Sequence, residues 1–329
     1  MTSQRPSFPF IASAGIAPTG RTGWRAVPLL WRKRLAVLLA ALTVPAMAAT
    51  GGVGTLPGPA VESTAALATR RAAAAALPFE RPGMSFPGSA FFYMADPAGT
   101  PLVALPKADP LAALGIAVHA TVAEAVRPAD IVVSLLENGP AVEHVLFHAG
   151  AAQAMRSGTL FIDMASIQPR EARDHAARLG EMGLAHLDAP VSGGTVGAEN
   201  GTLAIMAGGR AEDFARAQPV FAALGRATHV GPHGSGQLAK LANQMIVGIT
   251  IGAVAEALLF AAKGGADMAK VREAIQGGFA DSRILQLHGQ RMVDRDFAPK
   301  ARMGVQLKDM RNALGTAKEI GFDAPVTTL

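Results

Sequence analysis

Residues 237–263 constrain this chain more than any other stretch. They carry apolar residues on nearly every face of a helical projection, and the run is too long for a strand. It therefore reads as one long helix, buried along its length. The texture changes on either side of it. Before Gly236 the pattern alternates between strand-like and helical segments; afterwards only helical patterns follow, over 268–276, 284–293 and 305–320. A further turn, Asp323-Ala324-Pro325, is followed closely by the end at Leu329.

The alternating part is the sheet-forming part. Residues 131–136 (IVVSLL) form a near-continuous apolar run, as expected of a strand covered on both faces in a parallel sheet. Residues 121–126 (TVAEAV) predict a helix with Thr121 as N-cap and Glu124 at the capping-box position. A helix is expected over 140–147, a strand over 160–163, and a helix opened by Gln168-Pro169 with Glu171 in its first turn. A short strand at 101–105 and a helix at 109–114 precede these, and the alternation continues through His186 and over 202–228. That rhythm predicts a doubly wound α/β sheet.

Residues 1–98 do not share this texture. Pro, Gly, Ser, Ala and Arg dominate, and 49–88 show no sustained period, so the segment reads as a low-complexity, disordered leader. Within it a basic cluster, Trp31-Arg32-Lys33-Arg34, precedes an apolar run at 35–44 and an A-x-A-like end at 46–48. That is the pattern of a secretory signal, although it lies further from the start than such signals do. Gly52-Val53-Gly54 imitates a dinucleotide fingerprint but meets Pro57 where a third glycine belongs. The chain has no cysteine, which removes disulfides, thiolate metal ligands and a cysteine nucleophile. Its formal charge of +5 is scattered, without basic clusters interleaved with aromatics, which argues against nucleic-acid binding. The eight histidines show no metal-ligand spacing and read as surface or satisfied core residues, so no metal is expected.

Two stretches can carry chemistry. The first is DAPVSGGTVGAENGTLAIMAGG, residues 188–209, where Ser192-Gly193-Gly194 separates two apolar runs and 202–207 read as a buried strand closed by Gly208-Gly209. By itself SGG is an ordinary tight turn, but adjacent glycines also leave backbone N–H groups open to a small anion. The second is GSGQLAKLANQ, residues 234–244. Lys240 lies in the first turns of an apolar helix, so its ammonium must be paired, desolvated or snorkelling. Asn243 and Gln244, three and four residues on, can share its side. A snorkelling lysine is the simpler reading. A desolvated one could instead serve as an acid/base, because burial and a neighbouring cation lower its pKa.

In this order, the two stretches resemble the β-hydroxyacid dehydrogenase family, over residues 107–329. KLANQ, with EALLFAAKGGAD, is most similar to its 2-hydroxy-3-oxopropionate (tartronate semialdehyde) reductase branch. The resemblance implies a Rossmann-type NAD(P)-binding domain at 99–233 and an all-helical domain at 234–329, with the active site in the cleft between them. It implies NAD or NADP as cofactor and a small hydroxy- or oxo-carboxylate as substrate. Lys240 falls on the catalytic lysine. Ser192, Gly193 and Gly194 match the segment that holds the substrate carboxylate, and Gln244 stands where a substrate-binding asparagine is common, with Asn243 beside it. Leu136, Ser166 and Lys308 match cofactor-contact positions, and Asp309 reads as structural. A homo-oligomer through the helical domain and a cytoplasmic location are implied; export would follow if 31–48 were a working signal.

The sequence also departs from that family. A strand, a GxGxxG turn and a second strand are expected just before residue 107, and the sequence has no GxGxxG there. The first βαβ unit therefore reads as missing, residues 1–98 as an out-of-frame start, and Leu329 as a premature end with the helical domain truncated. The alternative function is an inactive remnant of the family that binds no cofactor and acts as an interaction or structural protein. Imine reduction on the same scaffold is disfavoured by Lys240.

Overall fold

The computed structural model describes residues 11–14, 90–93, 117–119, 121–298 and 303–329. Three parallel strands form the heart of the sheet: β4 (Ile131–Ser134), β5 (Leu160–Asp163) and β6 (Ala185–Asp188). Their register aligns Ser134 with Asp163 and Asp163 with Asp188, so three polar residues line up across the carboxyl end. The rest of β5 is apolar and buried on both faces. Leu160 and Ile162 join one core layer with Leu187, Leu203 and Phe221, while Phe161 joins the other with Val132, Leu146 and Leu179. Each such side chain contributes roughly 1.5–3 kcal/mol on leaving water.

The helices on this part of the sheet start where the sequence signals place them. Helix α1 (Val122–Val126) is capped by Thr121, whose Oγ1 accepts the Glu124 N–H at 3.2 Å. Helix α2 (Gly139–Glu143) is capped by Asn138 and runs on into a π-helical turn at His144–His148, then α3 (Ala151–Ala154). Helix α4 (Pro169–Glu181) opens with the Gln168 N–H donating to the Glu171 carboxylate at 2.8 Å.

Beyond β6 the sheet becomes mixed, a refinement of the parallel sheet expected. Strand β7 (Val191–Ser192) continues the line of β6, and both pair antiparallel with β8 (Leu203–Gly209) in one register, Leu187 opposite Gly209 and Val191 opposite Ile205. Ala189-Pro190 interrupts that edge, because proline has no N–H to give the ladder. Short α5 (Gly194–Glu199) makes the return, and α6 (Ala211–Leu224) leads to β9 (Gly225–Gly231), parallel to β8.

Helix α7 (Ser235–Lys263) begins against the sheet and leaves it. Its start is packed backbone to backbone: a Cβ on Gly236 would lie 2.4 Å from the carbonyl oxygens of both Asp188 and Met206. Helices α8 (Met268–Ile275), α9 (Gln290–Val293), α10 (Met303–Glu319) and α11 (Pro325–Thr328) follow, with a π-helical turn at Leu285–Gly289. The expectation of a helix buried along its length is corrected here. Ile246 is 66% exposed and Phe260 79%, and past Gln244 only Val254 and Leu258 are buried. Hydrophobic periodicity reports that a face needs covering; it cannot say whether this chain supplies the cover.

Outside 49–88, two short strands of the leader, β1 (Ile11–Ala14) and β2 (Ala90–Tyr93), pair antiparallel, and β3 (Ala117–His119) pairs with the other side of β1. Ladder hydrogen bonds can form on any short run able to extend, and composition alone does not exclude them. The signal-like segment 31–48, the glycines at 52–58, the strand at 101–105 and the helix at 109–114 lie outside the described residues.

Candidate active site

Asp188, at the end of β6, holds the site together. It is fully buried, and its carboxylate accepts the Gly234 N–H at 2.8 Å and the Gln237 N–H at 2.9 Å. Those amides are orphan donors at the start of α7, so a carboxylate there satisfies the helix end and favours its dipole. Burial nevertheless pushes the Asp188 carboxyl up to about 6, against the opposing pull of these hydrogen bonds. Gln237 extends the lock: its amide donates to Ala165 O at 2.8 Å and accepts from Ile167 N at 3.1 Å. The loop after β5, which carries Ser166, is thereby fixed to α7.

One turn further along α7, Lys240 points back to the β6–β7 edge. Its Nζ donates to Val191 O at 2.8 Å and to Gln244 Oε1 at 3.1 Å. The side chain is only 8% exposed, and desolvation draws its pKa down to about 8, with nearby Asp309 raising it and Lys308 lowering it. Gln244 also accepts from Asn243 Nδ2 at 2.8 Å and donates to Asp309 Oδ2 at 2.7 Å and to Gln306 Oε1 at 3.1 Å. Asp309 accepts the Ser166 hydroxyl at 2.9 Å, and Lys308 Nζ reaches Ser166 O at 2.6 Å. A continuous polar network thus joins the sheet, the start of α7 and α10.

The structure brings together most of the residues singled out in the sequence. Lys240, Asn243, Gln244, Ser166 and Lys308 share that network. Ser192 follows Val191, whose carbonyl Lys240 binds, and is half-buried, with Gly193 and Gly194 exposed beyond it. Gly193 (φ 136°) and Gly194 (φ 62°) adopt left-handed conformations that a side chain would strain. Leu136 packs into the apolar layer of β4 instead, and its side chain joins none of these polar contacts. Asp309 and Gln306 carry no sequence signal for this role: each lies on α10 as an ordinary polar helix residue, and only tertiary packing aims it at Gln244.

The carboxyl end of the sheet suits a dinucleotide. In open α/β sheets such ligands lie outside the carboxyl ends of the parallel strands. Here Ser134 Oγ donates to Asp163 Oδ1 at 3.1 Å and the Ala165 N–H donates to the same oxygen at 3.0 Å, which shapes that rim. Asp163 is wholly buried, and desolvation raises its carboxyl to about 7. Ser166 and Lys308 meet beside the loop that leaves this rim, Lys308 Nζ reaching Ser166 O, so polar groups are present where such a ligand would end.

One expectation about histidines fails. His186 is not a satisfied core residue: it is 2% exposed, and neither ring nitrogen has a hydrogen-bond partner among the described residues. A strand pattern shows that a position faces inward but not which polar atoms wait there.

Comparison with known proteins agrees with this geometry. Residues 103–231 match the family model for the NAD binding domain of 6-phosphogluconate dehydrogenase. Residues 234–329 match the model described as NAD-binding of NADP-dependent 3-hydroxyisobutyrate dehydrogenase. The chain is 45% identical over 224 residues to 2-hydroxy-3-oxopropionate reductase of Escherichia coli K12, covering 68% of this chain and 77% of that protein. It is 36% identical over 210 residues to 3-hydroxyisobutyrate dehydrogenase of Pseudomonas aeruginosa, covering 61% and 70%. Among solved structures, Mycobacterium tuberculosis 3-hydroxyisobutyrate dehydrogenase with L-serine superposes with a TM-score of 0.63 at 32% identity, over 69% of this chain and 80% of that one. With family models matching the sheet region and the helical region from α7 onward, and a relative 45% identical over 68% of this chain, the protein belongs to the β-hydroxyacid dehydrogenase family and is an NAD(P)-dependent oxidoreductase of small hydroxyacids.

Proposed function

We propose that the protein interconverts 2-hydroxy-3-oxopropionate, or a β-oxo acid of similar size, with the corresponding hydroxyacid, using Lys240 as the acid/base. The supporting observation is the position of Lys240: a buried ammonium with pKa drawn to about 8, held one residue from the Ser192 turn. When bound, NAD(P)H would supply the hydride for reduction, and NAD(P)+ would accept it in oxidation. Lys240 gives its proton to the carbonyl oxygen as the new hydroxyl forms, or takes the hydroxyl proton in the reverse direction. The exposed amides around Gly193 and Gly194, with the Ser192 hydroxyl, grip the substrate carboxylate. Gln244 and Asn243 orient the substrate hydroxyl and hold Lys240 in line. Leu136, Ser166 and Lys308 stand on the cofactor side.

The test is Lys240→Ala in the full chain. Turnover is expected to vanish while equilibrium binding of NADH or NADPH persists, and undiminished turnover would remove Lys240 from the mechanism. If the unaltered protein bound neither cofactor, the inactive-remnant reading would stand instead. The apolar face of α7 past Gln244 supports a second proposal, that a second copy of this chain covers it in a homo-oligomer.

A further inference from the structure

Two histidines without a part in this chemistry stand beside Asp188. His186 and Asp188 are two residues apart on β6, so the pleat puts them on one face. His233 lies in the turn that leads from β9 into α7, next to Gly234, whose amide Asp188 binds. One donor atom from each of the three residues lies within 4.8 Å of the others. The two rings are tilted, with centroids 5.6 Å apart, and Phe161 stacks on the far side of His186 at 6.1 Å.

The polar atoms in this cluster lack a use. Both ring nitrogens of His186 and Nδ1 of His233 are buried without a hydrogen-bond partner among the described residues. A buried polar group left so is destabilising unless a ligand meets it. The Asp188 oxygens accept the Gly234 and Gln237 amides, with the amides of Gly236 and of Asp188 itself also bonded to the carboxyl, so a metal would share this carboxylate with the start of α7. His229, by contrast, is already engaged, its Nε2 lying 2.8 Å from Gly209 O.

We propose that His186, Asp188 and His233 form a binding site for a zinc-class divalent transition metal, which clamps β6 to the entry of α7. Two imidazoles and one carboxylate are a borderline-soft donor set suited to Zn²⁺ or Co²⁺, whereas Mg²⁺ and Ca²⁺ favour oxygen alone. Tetrahedral bonds of about 2.0–2.2 Å place donors roughly 3.4 Å apart, so these ligands draw together on binding. His233 is half-buried where His186 is buried, so its ring is the less confined of the two. The metal has no part in the transfer of hydride or proton. It fixes the Asp188 carboxylate and the Gly234 turn on which the placement of Lys240 depends, and a fourth position is left for water.

The test uses the full chain, stripped with a chelator and titrated with Co²⁺ and then Zn²⁺. One equivalent of Co²⁺ is expected to bind with the visible absorption of a tetrahedral nitrogen/oxygen site, Zn²⁺ is expected to displace it, and Zn²⁺ is expected to raise Tm. His233→Ala and His186→Leu should each weaken binding at least about tenfold, while His229→Ala leaves it unchanged. Circular dichroism checks that each variant folds; if His186→Leu does not, the half-buried His233→Ala decides alone. Absence of stoichiometric Co²⁺ or Zn²⁺ binding overturns the proposal, as does binding unaltered in a folded His233→Ala. Metal binding is read without turnover, so its failure leaves the acid/base role of Lys240 untouched.

Discussion

Lys240 Nζ donates to Gln244 Oε1 at 3.1 Å, four residues along α7, and Gln244 passes that contact on to the Asp309 carboxylate at 2.7 Å. The amide is therefore oriented from both sides, its oxygen toward a cation and its nitrogen toward an anion. An ammonium so placed cannot swing out to water without breaking a network that spans two parts of the molecule.

The pH dependence of turnover should differ in sign between the two directions. Oxidation needs Lys240 neutral, so its rate should rise with pH through about 8; reduction needs it charged, so its rate should fall through the same region. Profiles of kcat in both directions check this, and identical profiles would remove Lys240 as the titrating group.

Charge changes on α10 should move that midpoint in opposite directions. Asp309 holds the Lys240 pKa up and Lys308 pushes it down. Asp309→Asn should shift the oxidative profile to lower pH, and Lys308→Met should shift it to higher pH. Asp309→Asn keeps the shape of the Gln244 and Ser166 partner, so a shift with preserved cofactor binding separates electrostatics from misfolding.

Gly236→Ala should destabilise the fold by about 3 kcal/mol or more, because the added methyl meets two backbone carbonyls rather than a side chain that can turn aside. Urea unfolding gives the number. A loss below about 1 kcal/mol would mean that α7 can shift away from β8 at little cost.

Asp163 should make stability fall as pH rises. Its folded-state carboxyl is raised to about 7 from 3.8, so the folded protein holds a proton that the unfolded chain has released. The contribution is complete below about pH 4 and is lost as pH passes through 7. Asp188, raised to about 6, acts in the same sense. Asp163→Asn should flatten the decline of Tm between those limits; an unchanged slope would show that Asp163 stays charged.

The exposed apolar face of α7 gives a last outcome. Light scattering should find the protein larger than a monomer, and Ile246→Lys with Phe260→Lys should reduce it toward one, since both side chains are largely exposed in the single chain. A monomeric unaltered protein would contradict the oligomer.

Much of this was legible in the sequence, because its causes are local. Thr121 and Glu171 each accept an amide three residues away, from Glu124 and Gln168, so the caps and helix starts are written where they act. The apolar runs at β4 and β5 declare burial on two faces, and the SGG and GSGQLAKLANQ stretches identified the turn and the lysine. The rest depended on partners far along the chain. That Asp188 closes the start of α7, that Asp309 steers Gln244, and that His186 meets His233 are contacts between residues separated by 46 to 65 positions, and only packing of β6, α7 and α10 decides them. Residue type and period thus determined what each segment could form and which lysine had to be paired, desolvated or snorkelling. The tertiary structure alone set the charge around that lysine, because desolvation and Coulomb interactions depend on distance in space and not on distance in sequence.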